Sequence, residues 1–161
     1  NIKFDEYKKD NQVNTTLAQQ LALYVVIYSP IQMAADLIEH YEANPEAMQF
    51  IKDVAVDWKQ TKVLNGEVGD YVTIAREERR TGNWFIGSIT DENSRELEIK
   101  LDFLEKGQIY RATLYKDAPD AHWNNNPIAL DIEELEVTSK SNILLNLVEG
   151  GGAAISLIKH E

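Results

Sequence analysis

Residues Glu96–Phe103 read ELEIKLDF. Leu97, Ile99, Leu101 and Phe103 fall on one side, Glu98, Lys100 and Asp102 on the other. That strict alternation is a strand with one dry and one wet face. The same period of two runs outward in both directions. Upstream, Trp84–Thr90 (WFIGSIT) follows a Thr81-Gly82-Asn83 turn, Asp70–Glu77 (DYVTIARE) alternates, and Lys62-Val63-Leu64 precedes a turn expected at Asn65-Gly66. Downstream come Ile109–Lys116, a polar loop from Asp117 to Pro127, Leu130–Val137, Ile143–Val148 and Ala154–Ile158. The last two are expected to form a hairpin around Gly150-Gly151-Gly152. About eight short strands at this spacing predict a mainly β fold, an antiparallel β-sandwich, with half-polar strands solvated on one face.

Before Trp58 the period is helical. Asn11–Ala35 (NQVNTTLAQQLALYVVIYSPIQMAA) holds no Asp, Glu, Lys or Arg, in a chain of formal net charge −11. Asn14, Thr15 and Thr16 are N-cap candidates. Leu17, Leu21, Tyr24, Val25 and Tyr28 share one face, and Ala18, Ala22 and Val26 mark a second. Small residues there permit close packing, and a helix apolar over most of its circumference needs partners on several sides. Ser29-Pro30 predicts the start of a second helix, to about Glu42, and Asn44-Pro45 that of a third, to about Val54. The sequence thus divides into a helical segment, 1–57, and an antiparallel β domain, 58–161.

Composition sets limits on function. The chain has 161 residues, 43% hydrophobic, with no cysteine, so disulfides are excluded. The acidic balance and the lack of a basic cluster argue against nucleic acid. The apolar run Leu21–Tyr28 falls far short of the roughly 20 residues of a membrane span.

The residues offer no active site. His40, His122 and His160 are far apart, and no metal-ligand spacing is present. Asp117-Ala118-Pro119-Asp120 reads as a solvated loop. No serine sits in a nucleophile elbow, and the triple glycine lacks the Lys-Ser/Thr of a phosphate loop. The doublets Glu77-Glu78 and Glu133-Glu134 point to opposite strand faces and read as surface charge. Among the tryptophans, Trp84 reads as core and Trp58 as a wedge between the two parts. Trp123, with Asn124 and Asn125, is the candidate sugar platform, weighed against a role as a clip for its loop.

Thr16-Leu17-Ala18 and Tyr24 through Asp36 (YVVIYSPIQMAAD) resemble the last helical part of the catalytic barrel of glycoside hydrolase family 97. Asp53–Trp58, Thr61–Gly69, Asp70–Arg76, Gly82–Gly87, Phe103-Leu104 and Gly150–Ala154 resemble that family's C-terminal β domain. The resemblance implies a parent of three parts: an N-terminal β-sandwich, a (β/α)8 barrel and this domain. It implies an exo-acting α-glucosidase or α-galactosidase, from Bacteroidetes, exported to the periplasm and using calcium. The catalytic and calcium-binding carboxylates would lie upstream, so no catalytic or metal residue is assigned here. Two or three helices from the end of the barrel are expected to precede the sandwich. The partners expected are the missing domains of the same chain and a second copy in a homo-oligomer. Two alternatives are a carbohydrate-binding module for an α-glucan and a free-standing adhesin-like sandwich, the latter disfavoured by the apolar helices.

Overall fold

A computed structural model describes residues 13–34 and 38–160. Three helices, α1 (Leu17–Val26), α2 (Ile38–Ala43) and α3 (Pro45–Asp53), precede eight strands. These are β1 (Trp58–Glu67), β2 (Tyr71–Glu78), β3 (Trp84–Thr90), β4 (Arg95–Lys100), β5 (Tyr110–Asp117), β6 (Leu130–Val137), β7 (Asn142–Leu147) and β8 (Gly152–Lys159). All pairings are antiparallel: a six-stranded sheet ordered β1-β2-β3-β8-β5-β6 faces a two-stranded β4-β7 sheet.

The six-stranded sheet has a core on each side. Trp84, Ile86, Ala112, Leu114, Ala153, Ile155 and Leu157 pack against Leu97, Ile99, Leu101, Ile143, Leu145 and Leu147 of the small sheet and its flank. Their alternate neighbours Phe85, Tyr115 and Ala154 pack against Leu21, Ala22 and Val25 of α1 and Ala47 and Phe50 of α3. The molecule is therefore a lopsided sandwich with a third, helical layer. The central strands β3 and β8 are buried on both faces, which is why they read as near-continuous apolar runs.

Four local expectations change. Asn65-Gly66 lies inside β1, beside an irregularity between Val63 and Asn65. The turn comes later, where Gly69 takes φ 94° and Asp70 N–H donates to Glu67 O; that positive φ is what only glycine adopts freely. The strand read from Glu96–Phe103 ends at Lys100, although Leu101 remains fully buried. β7 and β8 are no hairpin: the glycines carry the chain from the small sheet to the large one. Local turn chemistry signals a reversal but does not say which sheet receives the next strand.

The fourth change is the second helix. Positions 35–37 of its predicted span lie outside the described residues, and 30–34 are irregular. Ser29 Oγ accepts from Ile31 N–H at 3.2 Å, as a cap would, but no helix follows there. Gln32 Nε2 folds back on the Tyr24 and Ser29 carbonyls. The end of the predicted span is helical, as α2, while Ile31 and Met33 ahead of it are 74% and 78% exposed.

Candidate functional site

The surface feature that sets this chain apart is an apolar face. Ile27, Tyr28, Ile31, Met33 and Ile38 are all exposed large hydrophobics within twelve positions. The wholly uncharged helix needs partners on several sides, and its own sheet supplies one, leaving Ala18, Ala22 and Val25 at 0% exposure. The unpartnered residues are those that follow it.

Further apolar residues lie on the helical side of the sheet, next to which Tyr28 meets Arg76. Val72 pairs with Ile89, which belongs to the helix-side core, and Gly66 pairs with Val72. Directly opposed residues share a face, so all three lie on the helical side. Ile74, two positions along β2, lies there too, opposite Val63, which is 67% exposed. Val63, Val72 and Ile89 line a shallow depression of about 520 Å³ at the β1–β2 turn. Arg76 closes the strip, its guanidinium 5.4 Å from the Tyr28 ring centroid and 5.9 Å from that of Trp58.

Arg76 also finishes α1. Its Nε donates to Val25 O at 2.6 Å, Nη2 to Val26 O at 3.2 Å and Nη1 to Thr61 Oγ1 at 2.8 Å. The final carbonyls of a helix have no partner within it, and a cation there also meets the negative end of the helix dipole. Burial lowers the Arg76 pKa from its ordinary value, opposed by Tyr28.

The other end of α1 meets a buried carboxylate. Asp117, expected in a solvated loop, is the last residue of β5 and only 6% exposed. Its Oδ1 accepts from Thr16 Oγ1 at 2.6 Å; Oδ2 accepts from Val148 N–H at 3.1 Å and Gly152 N–H at 2.9 Å. Burial raises its pKa, against the three hydrogen bonds. Thr16 is the N-cap among the three candidates, accepting from Gln19 N–H at 3.2 Å. Glycine matters here: a methyl carbon on Gly151 would fall 2.1 Å from Asp117 Oδ2.

Glu77 departs from the surface-charge reading. It is 8% exposed, with Oε1 3.0 Å from Lys59 Nζ and Oε2 2.6 Å from Gln60 Nε2. Burial raises its pKa, but those bonds and the charges of Lys59 and Lys159 outweigh it, and the net shift is down. Glu133 is exposed and pairs with Lys116 at 2.6 Å.

The proposed sugar residues sit in a loop that is mostly occupied with itself. His122 and Asn126 form a bridge, Asn124 N–H donates to His122 Nδ1, and Asn126 Nδ2 donates to Asp120. Asn124 Nδ2 lies 3.3 Å from Asn125 Oδ1. Trp123 is half-buried, stacks on His122 at 5.8 Å, and lies 3.3 Å from where a Gly150 side chain would start. A neighbouring cleft of about 640 Å³ is lined by Arg95, Glu96, Lys116, His122, Asp131 and Asn146 among others. Trp123, Asn124 and Asn125 are not among its lining residues. Trp84 packs in the two-sheet core, and Trp58 in the helix–sheet core against Phe85, as a wedge should.

Comparison with known proteins gives a consistent set. A family model described as "Glycosyl-hydrolase 97 C-terminal, oligomerisation" matches residues 57–158. The chain is 34% identical over 142 residues to a retaining alpha-galactosidase of Bacteroides thetaiotaomicron, covering 88% of this chain and 21% of that protein. It is 37% identical over 70 residues to a probable retaining alpha-galactosidase of Streptomyces bingchenggensis, covering 44% and 11%. It is similar in structure to a glycoside hydrolase family 97 enzyme of a Pseudoalteromonas species in complex with acarbose. There the TM-score is 0.92 and the identity 50%, over 94% of this chain and 24% of that one. The chain thus spans about a fifth to a quarter of the length of the Bacteroides and Pseudoalteromonas relatives.

Proposed function

The chain belongs to glycoside hydrolase family 97, whose C-terminal oligomerisation domain it carries, and we propose that it serves an exo-acting α-glycosidase as a non-catalytic packing element. The exposure of Ile27, Tyr28, Ile31, Met33 and Ile38, together with Val63 on the helical side of β1, supports this most directly. Contiguous apolar surface of that kind marks an interaction site. The relatives have three-quarters or more of their length outside the matched region, and a catalytic barrel preceding this domain is the occupant. The β domain adds contacts to a second copy.

The substrate we assign to the whole enzyme is an α-glucoside. The 50% identical Pseudoalteromonas enzyme was solved with acarbose, and a variant of it with panose, whereas the α-galactosidase relatives are more distant in sequence. Calcium belongs to the same proposal, but with its seat upstream. Among the described residues no three His, Asp or Glu side chains converge to hold a metal. No described helix is long and apolar enough to cross a membrane. Export to the periplasm remains part of the proposal; cell fractionation of the whole protein tests it.

The function test is a pair of assays with chromogenic α-glucoside and α-galactoside. The whole gene product is expected to turn over the glucoside and the 161-residue chain neither. Turnover by the chain itself would overturn the non-catalytic reading, and preference of the whole product for the galactoside would overturn the substrate.

A further inference from the structure

We propose that the helical side of the six-stranded sheet is a docking surface for one helix, that α1 is that helix, and that the joint is rigid. The matched family region begins at residue 57, yet the contacts of residues 16–26 bring them into the same unit. The proposal rests on the reading of α1 as the end of the preceding barrel; if so, the barrel's last helix and the β domain move as one body.

Both ends and the middle of α1 are held by distant sequence. At the start, Thr16 N–H donates to Gly150 O at 3.0 Å, Leu17 N–H to Pro127 O at 2.7 Å, and the Thr16 hydroxyl to Asp117. Amides that no helical carbonyl can satisfy are thus spent on the β domain. In the middle, Gln19 Nε2 donates to Thr90 O at 2.7 Å. There the helix lies on a floor of glycine. A methyl carbon on Gly87 would sit 2.5 Å from Ala22 O, and one on Gly152 would sit 2.6 Å from Gln19 Cα. At the finish, Arg76 holds Val25 O and Val26 O. Such a floor and such termini fit a helix of small and uncharged residues; a charged one would be desolvated there without a partner.

The rigid part ends at Val26. From Ile27 to Ala34 the hydrogen bonds are local, such as Ser29 with Ile31 and Gln32 with Tyr24 and Ser29. α2 has no buried residue. Among the described residues the compliant stretches are therefore 27–34 and 38–43, downstream of α1, and not the stretch around Asp57.

Hydrogen exchange on the full 161-residue chain tests this. Amides of Leu21–Val25 should exchange as slowly as those of Phe85–Ile86 and Ala154–Ile155, through global opening. Amides of 38–43 should be about 100-fold faster or more, as local opening gives. Exchange of Leu21–Val25 about 100-fold faster than the sheet overturns the joint. Gly87→Ala provides a second reading: exchange of Leu21–Val25 and of Phe85–Ile86 should rise together, about 10-fold or more, because one cooperative unit opens. Unchanged α1 exchange in that variant also overturns the proposal. The parent reading fails separately: a protected α1 with an apolar face left uncovered in the whole protein would leave the joint intact and remove the barrel as its other side.

Discussion

Replacing Arg76 by Met keeps most of the aliphatic bulk and deletes the guanidinium. Three hydrogen bonds are lost, two of them to the last carbonyls of α1 at 2.6 and 3.2 Å. A bond to a charged donor contributes about 1.5–3 kcal/mol, and a buried carbonyl left without a partner costs about 1–3 kcal/mol. Against this, the variant no longer desolvates a cation that burial disfavours. The balance is a loss of about 2–3 kcal/mol, within the range for a cation at a partly buried helix end together with its other bonds. For a chain of this size that lowers Tm by about 4–12 °C. Arg76→Lys offers one point charge in place of a planar fork and should lose about half as much. Urea unfolding followed by circular dichroism reads the effect, with the m-value unchanged because the folded surface is the same. Arg76→Met within about 0.5 kcal/mol of wild type, the ordinary range for a surface change, would refute the assignment of Arg76 as the C-terminal anchor of α1.

Three further outcomes are expected. Gly87→Ala forces a methyl carbon to within 2.5 Å of Ala22 O and should cost about 1–3 kcal/mol as overpacking, read by the same urea titration. Asp117 has a folded pKa above its unfolded value, so its folded form holds the proton longer. Its contribution is full below the unfolded pKa and declines as pH rises through the folded one. The stability of wild type relative to Asp117→Asn should therefore fall from about pH 3 towards neutrality; a difference that is flat or rises with pH contradicts the assignment. Calorimetric titration with maltooligosaccharides should show no heat that Trp123→Ala abolishes, because the Asn124 and Asn125 amides lie within hydrogen-bond reach of each other. Saturable binding lost in that variant would restore the sugar-platform reading.

What could be read in the sequence follows the range of the interactions involved. β3 and β6 appear with the expected bounds, since alternation and flanking turns are local. α3 appears because Pro45 and its apolar side are local as well. The segment from Ile31 onward carried equally good helix signals, yet among its described residues only Ile38–Ala43 is helical, and 31–34, with Ile31 and Met33 exposed, is not. The route from β7 to β8 depends on which sheet has a free neighbour, and no glycine encodes that. Arg76, Asp117 and Gly87 were not singled out as functional positions. Their partners lie from about fifty to a hundred residues away in sequence, so each looked like an ordinary strand or loop residue. One signal did reach this far: Ala18 and Ala22 foretold a close approach, and Gly87 supplies its other half.

Oxidative footprinting of Met33 tests the central claim most directly. Met33 is 78% exposed, and the half-buried Met48 provides an internal standard. Mild peroxide oxidation followed by mass spectrometry gives the rate at each methionine, in the 161-residue chain and in the whole gene product. If this face packs against a preceding barrel, Met33 should oxidise about 10-fold or more slowly in the whole product, since thioether oxidation follows exposure, with Met48 little changed. Equal rates at Met33 in the two proteins would contradict the account.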